Sequence, residues 1–450
     1  MILDRDAFGL WSFLAKRVFR AVFTATSSEE CAKAIRETLS EREVAMYIHI
    51  PFCTGTCVFC PYPRIAVPRS ELDRVLDKYF SALITEVKLY GKLLRDLGLR
   101  VVDIHAGGGT PSLVPGRLWR LLLEAISEEF EAEPRIAIEA NPEDLSAEPK
   151  AFDLVDSGVE EVSLGVQSLN PRILKVLGRR HSVEDSIKAI ENLRRAGCRY
   201  LNIDLMYMVP GQTLGDWVRD LEEASSLDVD EITCYPTLVA RHSIGYRLIR
   251  EGKLPPQPSE RDFESMIYAC EDTLPKRGYR GVEIYGYSRL EWKYATVNYE
   301  MEGPLLAFGA GAVGFTGGFE YVNTHFVEEY VEALKSGRLP IAGARRVRSF
   351  ERWVRYATCR LFVCRSLDRE SFERKFGIEF DEAMRKSGFA AFLKLLKALK
   401  RVEDDGRRLY LTRRGLLTAH KVCWAFVLNV PCRIVEEFSR EPWPPRVEIP

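Results

Sequence analysis

Tyr47-Ile48-His49-Ile50-Pro51-Phe52-Cys53-Thr54-Gly55-Thr56-Cys57-Val58-Phe59-Cys60 joins a strand-like apolar run to three closely spaced thiols. The run Met46 to Ile50 is rich in β-formers, and the proline and glycine that follow end a strand and open a loop. Similar runs recur at Val101 to His105, Ile136 to Ala140, Glu161 to Gln167, Tyr200 to Met206 and Glu231 to Thr237. Between them the apolar period becomes helical, over Leu72 to Leu97, Arg117 to Phe130, Val183 to Ala196 and Leu214 to Leu227. Strand then helix, repeated about six times, predicts an α/β fold with a parallel sheet covered on both faces. Six such units make a partial (β/α)6 barrel, an open relative of the eight-stranded barrel, in which function collects at the carboxyl ends of the strands. The unusual residues fall there. The cysteines follow the first run, Gly107-Gly108-Gly109-Thr110 follows the second, Glu139 to Asn141 ends the third and Gln167-Ser168 ends the fourth.

Working outward, residues 46–255 form the predicted barrel, 1–45 a helical extension, 256–344 a segment that completes the barrel on the substrate side, and 345–450 a C-terminal helical domain. In the last, three helices and a small hairpin near Arg407 to Thr412 describe a winged-helix-like module. It lacks an obvious run of basic recognition residues, so no nucleic-acid partner is expected. At 450 residues and 46% hydrophobic composition the chain can bury a large core, and 64 Lys+Arg against 65 Asp+Glu exclude a strongly basic or polyacidic protein. No apolar run is long enough to span a membrane. The stretch Phe8 to Phe23 places Phe8, Leu10, Trp11, Leu14, Val18 and Val22 at helical spacing, which predicts a helix packed on its own domain in preference to one on a membrane surface. With no signal peptide the expected location is the cytoplasm and the thiols are expected reduced. Of the eleven cysteines, eight are scattered in the manner of buried small side chains.

The other three, Cys53-x3-Cys57-x2-Cys60, lie close enough on one loop to share a metal centre. A structural zinc wants a fourth ligand, and no Cys or His follows at finger spacing. Three ligands suit a [4Fe-4S] cluster with one iron open, although four thiolates are the commoner set. At these residues the chain resembles the radical S-adenosylmethionine (SAM) superfamily, in the branch of oxygen-independent coproporphyrinogen III oxidase, the heme chaperone and the class C methyltransferases. The similarity continues through Gly107-Gly-Gly-Thr110-Pro111-Ser112, Glu139-Ala-Asn141-Pro142, Ser163-Leu-Gly165-Val-Gln167-Ser168, Leu177-Gly-Arg179-Arg-His181, Asp204-Leu-Met-Tyr207-Met-Val-Pro210-Gly-Gln212-Thr213, Glu283-Ile284 and Phe308-Gly-Ala-Gly311-Ala312.

The resemblance implies that Cys53, Cys57 and Cys60 hold the cluster, and that SAM bound at the open iron yields a 5'-deoxyadenosyl radical. It implies that Phe59 shields the cluster and meets the adenine through its backbone. Gly107, Gly108 and Gly109, with Thr110, would let the backbone approach the methionine moiety. Asp204 and Gln167 would bond ribose hydroxyls, Arg179 the carboxylate, and Glu139 the amino group or a second SAM. Ala312 and Val313 fall where the family contacts that second SAM. Tyr47 matches a tyrosine beside the sulfonium and is the catalytic candidate, the alternative being a barrel-core tyrosine. His49 points the same way and would either shuttle a proton or sit hydrogen-bonded in the interior.

Departures from the branch steer the expected activity. The heme chaperone's His-Asn-x-x-Tyr-Trp signature is replaced by Ala295-Thr296-Val297-Asn298-Tyr299-Glu300, which removes its heme ligand, and the Gly-Cys that follows the third cysteine in the oxidases is replaced by Pro61-Tyr62-Pro63-Arg64. Class C-like methyl transfer is therefore favoured, with coproporphyrinogen-type decarboxylation and heme carriage as alternatives. The implied substrate is a tetrapyrrole, quinone or heteroaromatic ring. Tyr285, Tyr287, Trp292, Tyr294 and Tyr299 are candidates to stack on it, and Arg64, Arg241 or Arg289 to meet its carboxylates. A ferredoxin or flavodoxin would supply the electron.

Overall fold

The computed structural model describes residues 8, 9, 11–13, 20–133, 135–290 and 303–449. Six parallel strands stand where the apolar runs predict them: Glu43–Ile50, Arg100–Gly108, Ile136–Ala140, Val159–Gln167, Tyr200–Tyr207 and Glu231–Pro236. They pair in sequence order, each parallel to the next, as consecutive strand–helix–strand units do. The helices between them carry their own start and stop signals. Val183–Ala196 begins at a capping box, in which the Ser182 side chain accepts from the Asp185 amide, and stops at Gly197 with φ +88. Leu214–Ala224 begins at a second capping box, between Thr213 and Asp216.

The sheet continues past the six in both directions. Leu305–Phe308 runs parallel to the first strand, and beyond it Val313–Phe315, Phe319–Asn323, Ile341–Arg346, Ala21–Thr24 and Arg446–Ile449 follow antiparallel. At the opposite edge Gly286–Ser288 pairs antiparallel with the sixth strand. Among the described residues the sheet runs edge to edge without closing, so the barrel is partial. A continuous core of strand and helix side chains, including Trp119, Trp217 and Tyr90, fills both faces.

Two expectations need correction. The 1–45 segment is not a helical extension throughout: Ala21–Thr24 is a strand of the main sheet, with Ala21 and Phe23 buried and Thr24 exposed, a period of two where a helix was expected. Residues 1–7, 10 and 14–19 lie outside the described set, while Phe8 packs on Phe263 and Trp424, and Trp11 on Phe392, so these two rings face their own protein. Nor is 345–450 one separate body, because its last strand, Arg446–Ile449, pairs with Ala21–Thr24, and Phe438 packs on Phe23. The remainder does hold its own core, around Phe372, Phe380, Leu396 and Leu409, with a small antiparallel sheet that includes Val402–Asp404 and Arg408–Leu411. No helix among the described residues is long and apolar enough to cross a membrane.

Candidate functional site

The carboxyl ends of the strands converge on the cysteine loop. Its stem is a short parallel pairing of Phe52–Cys53 with Ile65–Ala66. The thiols are free and only half-buried, and they act on one another electrostatically. Burial pushes Cys53 up to about 11 and raises Cys60, so as bare thiols both stay protonated at neutral pH. Two donors are aimed at the sulfurs: Thr110 Oγ1 donates to Cys53 Sγ at 3.4 Å and Arg179 Nη1 to Cys57 Sγ at 3.2 Å. Such donors suit thiolates bound to a metal and tune its potential. Among the described residues no three Cys, His, Asp or Glu side chains converge as ligands of a single ion. In a cluster each thiolate holds its own iron, so three separate sulfurs, two of them met by an O–H or N–H donor, fit [4Fe-4S].

Around the loop the predicted rim residues come together. Arg179 spans the centre, its Nη2 donating to Asn141 Oδ1 at 2.7 Å and to Gly165 O at 3.1 Å, and Asn141 Nδ2 in turn donates to Thr110 Oγ1 at 3.2 Å. Glu139 accepts from the Gly108 amide at 3.2 Å and keeps 44% of its side chain exposed. Asp204 Oδ1 accepts from Ser163 Oγ at 3.0 Å and Asn202 Nδ2 at 2.9 Å, yet burial dominates and pushes its carboxyl up to about 7. Gln167 holds φ +68 at the end of its strand, a left-handed conformation rare for a side chain of its kind. Tyr47 and His49 form a pair, with Tyr47 Oη 3.0 Å from His49 Nδ1 and His49 Nε2 3.3 Å from Pro63 O. The Pro63 carbonyl can only accept, so Nε2 carries the proton and Nδ1 accepts from the tyrosine; burial, which pushes His49 down to about 4, keeps the ring neutral.

The glycine run has a packing reason of its own. A Cβ on Gly107 would meet the Glu139 carboxylate at 3.0 Å, on Gly108 the His49 ring at 2.4 Å, and on Gly109 the Phe52 carbonyl at 2.6 Å. The missing side chains thus admit Glu139, His49 and the cysteine strand to one rim. Phe59 is 4% exposed and sits among Ile173, Leu177, Val209 and Val239, against Gly245. Ala312 is buried and Val313 half-buried, at a turn whose Gly309 amide donates to the buried Glu86 and whose Ala310 amide donates to Tyr79 Oη, both at 2.8 Å.

Several substrate-side expectations change. Arg64 is committed to the loop, donating to Cys60 O at 3.0 Å and Cys57 O at 3.3 Å. Arg289 lies at the amino end of the sixth strand, where its amide donates to Asp230 O and its guanidinium to Ser225 O, so it stands away from the rim. Tyr287 is 1% exposed and bonds Glu271, whereas Tyr285 is half-buried with its ring 5.8 Å from that of Tyr235. Trp292, Tyr294, Tyr299 and the run Ala295 to Glu300 lie outside the described residues. Sequence reasoning missed Tyr235, 37% exposed at a strand end, whose place on the same strand face as Glu231 and Thr233 was a usable signal. It also missed Arg180, which clamps Thr54 through O at 3.0 Å and Oγ1 at 2.6 Å although it stands beside the quoted Arg179.

The radical SAM superfamily profile matches residues 47–224. Heme chaperone HemW of Mycobacterium tuberculosis (strain ATCC 25618 / H37Rv) is 30% identical over 304 residues, 66% of this chain and 76% of that one. The chain belongs to the radical SAM superfamily. Heme chaperone HemW of Bacillus subtilis (strain 168) is 28% identical over 388 residues, 85% of this chain and 98% of the relative. Among solved structures, radical SAM coproporphyrinogen III oxidase HemN from Escherichia coli superposes with a TM-score of 0.75, covering 90% of this chain and 94% of that one at 23% identity, a likeness of fold. This is a radical SAM protein of HemN and HemW type, with a [4Fe-4S] cluster and SAM as its cofactors. Methyl transfer, favoured from the sequence, gains no support from these relatives.

Proposed function

We propose that this protein reductively cleaves SAM at a [4Fe-4S] cluster held by Cys53, Cys57 and Cys60 and acts on a tetrapyrrole. The observation that carries the reading is Arg179, which touches Cys57 Sγ, Asn141 and the Gly165 carbonyl at once and so ties the cysteine loop to the ends of the third and fourth strands. Once bound and reduced, the cluster supplies the electron that splits SAM into methionine and a 5'-deoxyadenosyl radical. Arg179 offers its guanidinium to the carboxylate of SAM, and the exposed part of Glu139 offers an acceptor to the amino group. Asp204 and Gln167 accept from the ribose hydroxyls, while Gly107, Gly108, Gly109 and Thr110 hold the rim close. The Phe59 ring closes the apolar side of the loop. Tyr47 presents its oxygen to the sulfonium while its hydroxyl keeps its proton in a hydrogen bond to His49 Nδ1. Ala312 and Val313 line the place for a second SAM, on the turn fixed by Glu86 and Tyr79. A ferredoxin or flavodoxin is the electron donor.

The tetrapyrrole class is supported by relatives named for heme and for coproporphyrinogen. Oxidative decarboxylation of the coproporphyrinogen type follows from the first reading. Heme carriage is the second, favoured because the match to the Bacillus subtilis heme chaperone covers 98% of that relative. The test is release of 5'-deoxyadenosine by anaerobically reconstituted, reduced protein. Release by the wild type and none by Cys57→Ala is expected, and equal release by both contradicts the reading. A hemin titration separates the two readings, a Soret shift at stoichiometric hemin with little SAM turnover favouring carriage.

A further inference from the structure

We propose that Arg64 holds the cysteine loop in its cluster-binding shape and that its fixed charge favours the reduced cluster. The inference rests on the [4Fe-4S] reading of the site. It starts from the segment after the third cysteine, Pro61-Tyr62-Pro63-Arg64, whose two prolines stiffen the backbone and bring no amide donors. Each of its first three carbonyls meets a side chain. Pro61 O lies 3.1 Å from His242 Nε2, Tyr62 O accepts from Arg64 Nη1 at 3.4 Å, and Pro63 O lies 3.3 Å from His49 Nε2. The segment is therefore a braced strut, and Arg64 stands at its end.

From there the guanidinium reaches back over the loop. Nη1 donates to Cys60 O at 3.0 Å and Nη2 to Cys57 O at 3.3 Å, so one planar fork fixes the backbone of two cysteines to the strut. An ammonium on a lysine stem carries the same charge without that fork. The charge matters because a cluster on three thiolates is already anionic, and reduction by a low-potential one-electron donor makes it one unit more negative. A fixed cation beside it stabilises the reduced form more than the oxidised one. Arg179 brings a second cation but is committed to Asn141, Gly165 and the rim, whereas among the described residues the bonds of Arg64 go to the loop and its strut. Arg64 is thus a positioning residue that acts through the cysteine loop.

The test compares full-length wild type, Arg64→Gln and Arg64→Lys, each reconstituted without oxygen. The readouts are iron and sulfide per chain and the reduced fraction by electron paramagnetic resonance during titration with titanium(III) citrate. At the potential where the wild type is half reduced, Arg64→Gln is expected to show a reduced-to-oxidised ratio lower by three- to tenfold, tenfold being ~59 mV for a one-electron couple, and a lower iron content. Arg64→Lys is expected to recover the ratio to within about twofold of wild type but not the iron content. Wild-type iron content and ratio in Arg64→Gln overturn the proposal. Should Arg64→Gln retain no cluster, Arg64→Lys decides: full iron content overturns the holding role, and a tenfold lower ratio overturns the charge role. A wild-type chain that takes up neither iron nor sulfide removes instead the cofactor reading beneath both.

Discussion

Asp204→Asn should stabilise the metal-free protein while weakening its hold on SAM. Asp204 Oδ1 accepts from Ser163 and Asn202, and an amide can present its carbonyl oxygen to the same two donors. Burial pushes the Asp204 carboxyl up to about 7 from an ordinary value of 3.8. Between those values the folded chain binds the extra proton, so the stability this group contributes is present below about pH 4 and is lost as pH rises through 7. A gap of about 3 in pKa sets a ceiling of ~4 kcal/mol. The carboxyl is half-buried at an open rim, and screening by water lowers the expected effect to ~2 kcal/mol. Urea unfolding of apo wild type and Asp204→Asn should therefore show a small difference at pH 4.5 and a gain of ~2 kcal/mol for the variant at pH 8. In parallel, calorimetric SAM binding to the reconstituted variant should weaken about tenfold or more, because an amide has one acceptor oxygen where a carboxylate has two. An equal gain at both pH values, or a loss at pH 8, would refute the assignment of a strained buried carboxyl.

Three further perturbations probe the frame of the site. Gly109→Ala drives a methyl into the Phe52 and Ile50 backbone at 2.6–2.8 Å; a loss of ~1–3 kcal/mol in the urea midpoint and reduced iron uptake are expected, and a wild-type midpoint would contradict the packing. Tyr79→Phe removes the hydroxyl that donates to His49 O and accepts from the Ala310 amide, both at 2.8 Å, leaving two buried backbone groups unpaired. It should cost ~2–4 kcal/mol in the same assay, and a loss under ~1 kcal/mol would show that the turn repacks. Arg179→Lys forfeits the bonds to Asn141 and Gly165 but keeps a cation near Cys57; iron content should stay near wild type while SAM affinity falls about tenfold, and unchanged affinity would remove Arg179 from the cofactor site.

The six parallel strands were legible because strands covered on both faces read as apolar runs, and the helix Val183–Ala196 was bounded by residues that cap it, Ser182 and Gly197. The rim was legible as well, since residues at strand ends converge in this architecture whatever their distance along the chain. What escaped was the use each side chain makes of its neighbours. Arg64 and Arg289 read as free cations, whereas one bonds loop carbonyls and the other a carbonyl at the opposite end of the barrel. The glycine run read as clearance for a ligand, and its glycines also admit Glu139, His49 and the Phe52 backbone. Ala21–Thr24 was absorbed into a helical pattern because its strand partner, Arg446–Ile449, lies at the far end of the chain, a pairing that no local period reports. The activity was overread from two local departures, at Pro61 to Arg64 and Ala295 to Glu300, while similarity over most of the chain points to the HemN and HemW types.

The most direct measurement is the electron paramagnetic resonance spectrum of the reduced, anaerobically reconstituted protein with and without SAM. A [4Fe-4S] signal whose g-values shift when SAM is added is the expected result, since the open iron then gains new ligands. A preparation that holds zinc or no metal, or a cluster signal that SAM leaves unchanged, would contradict the account.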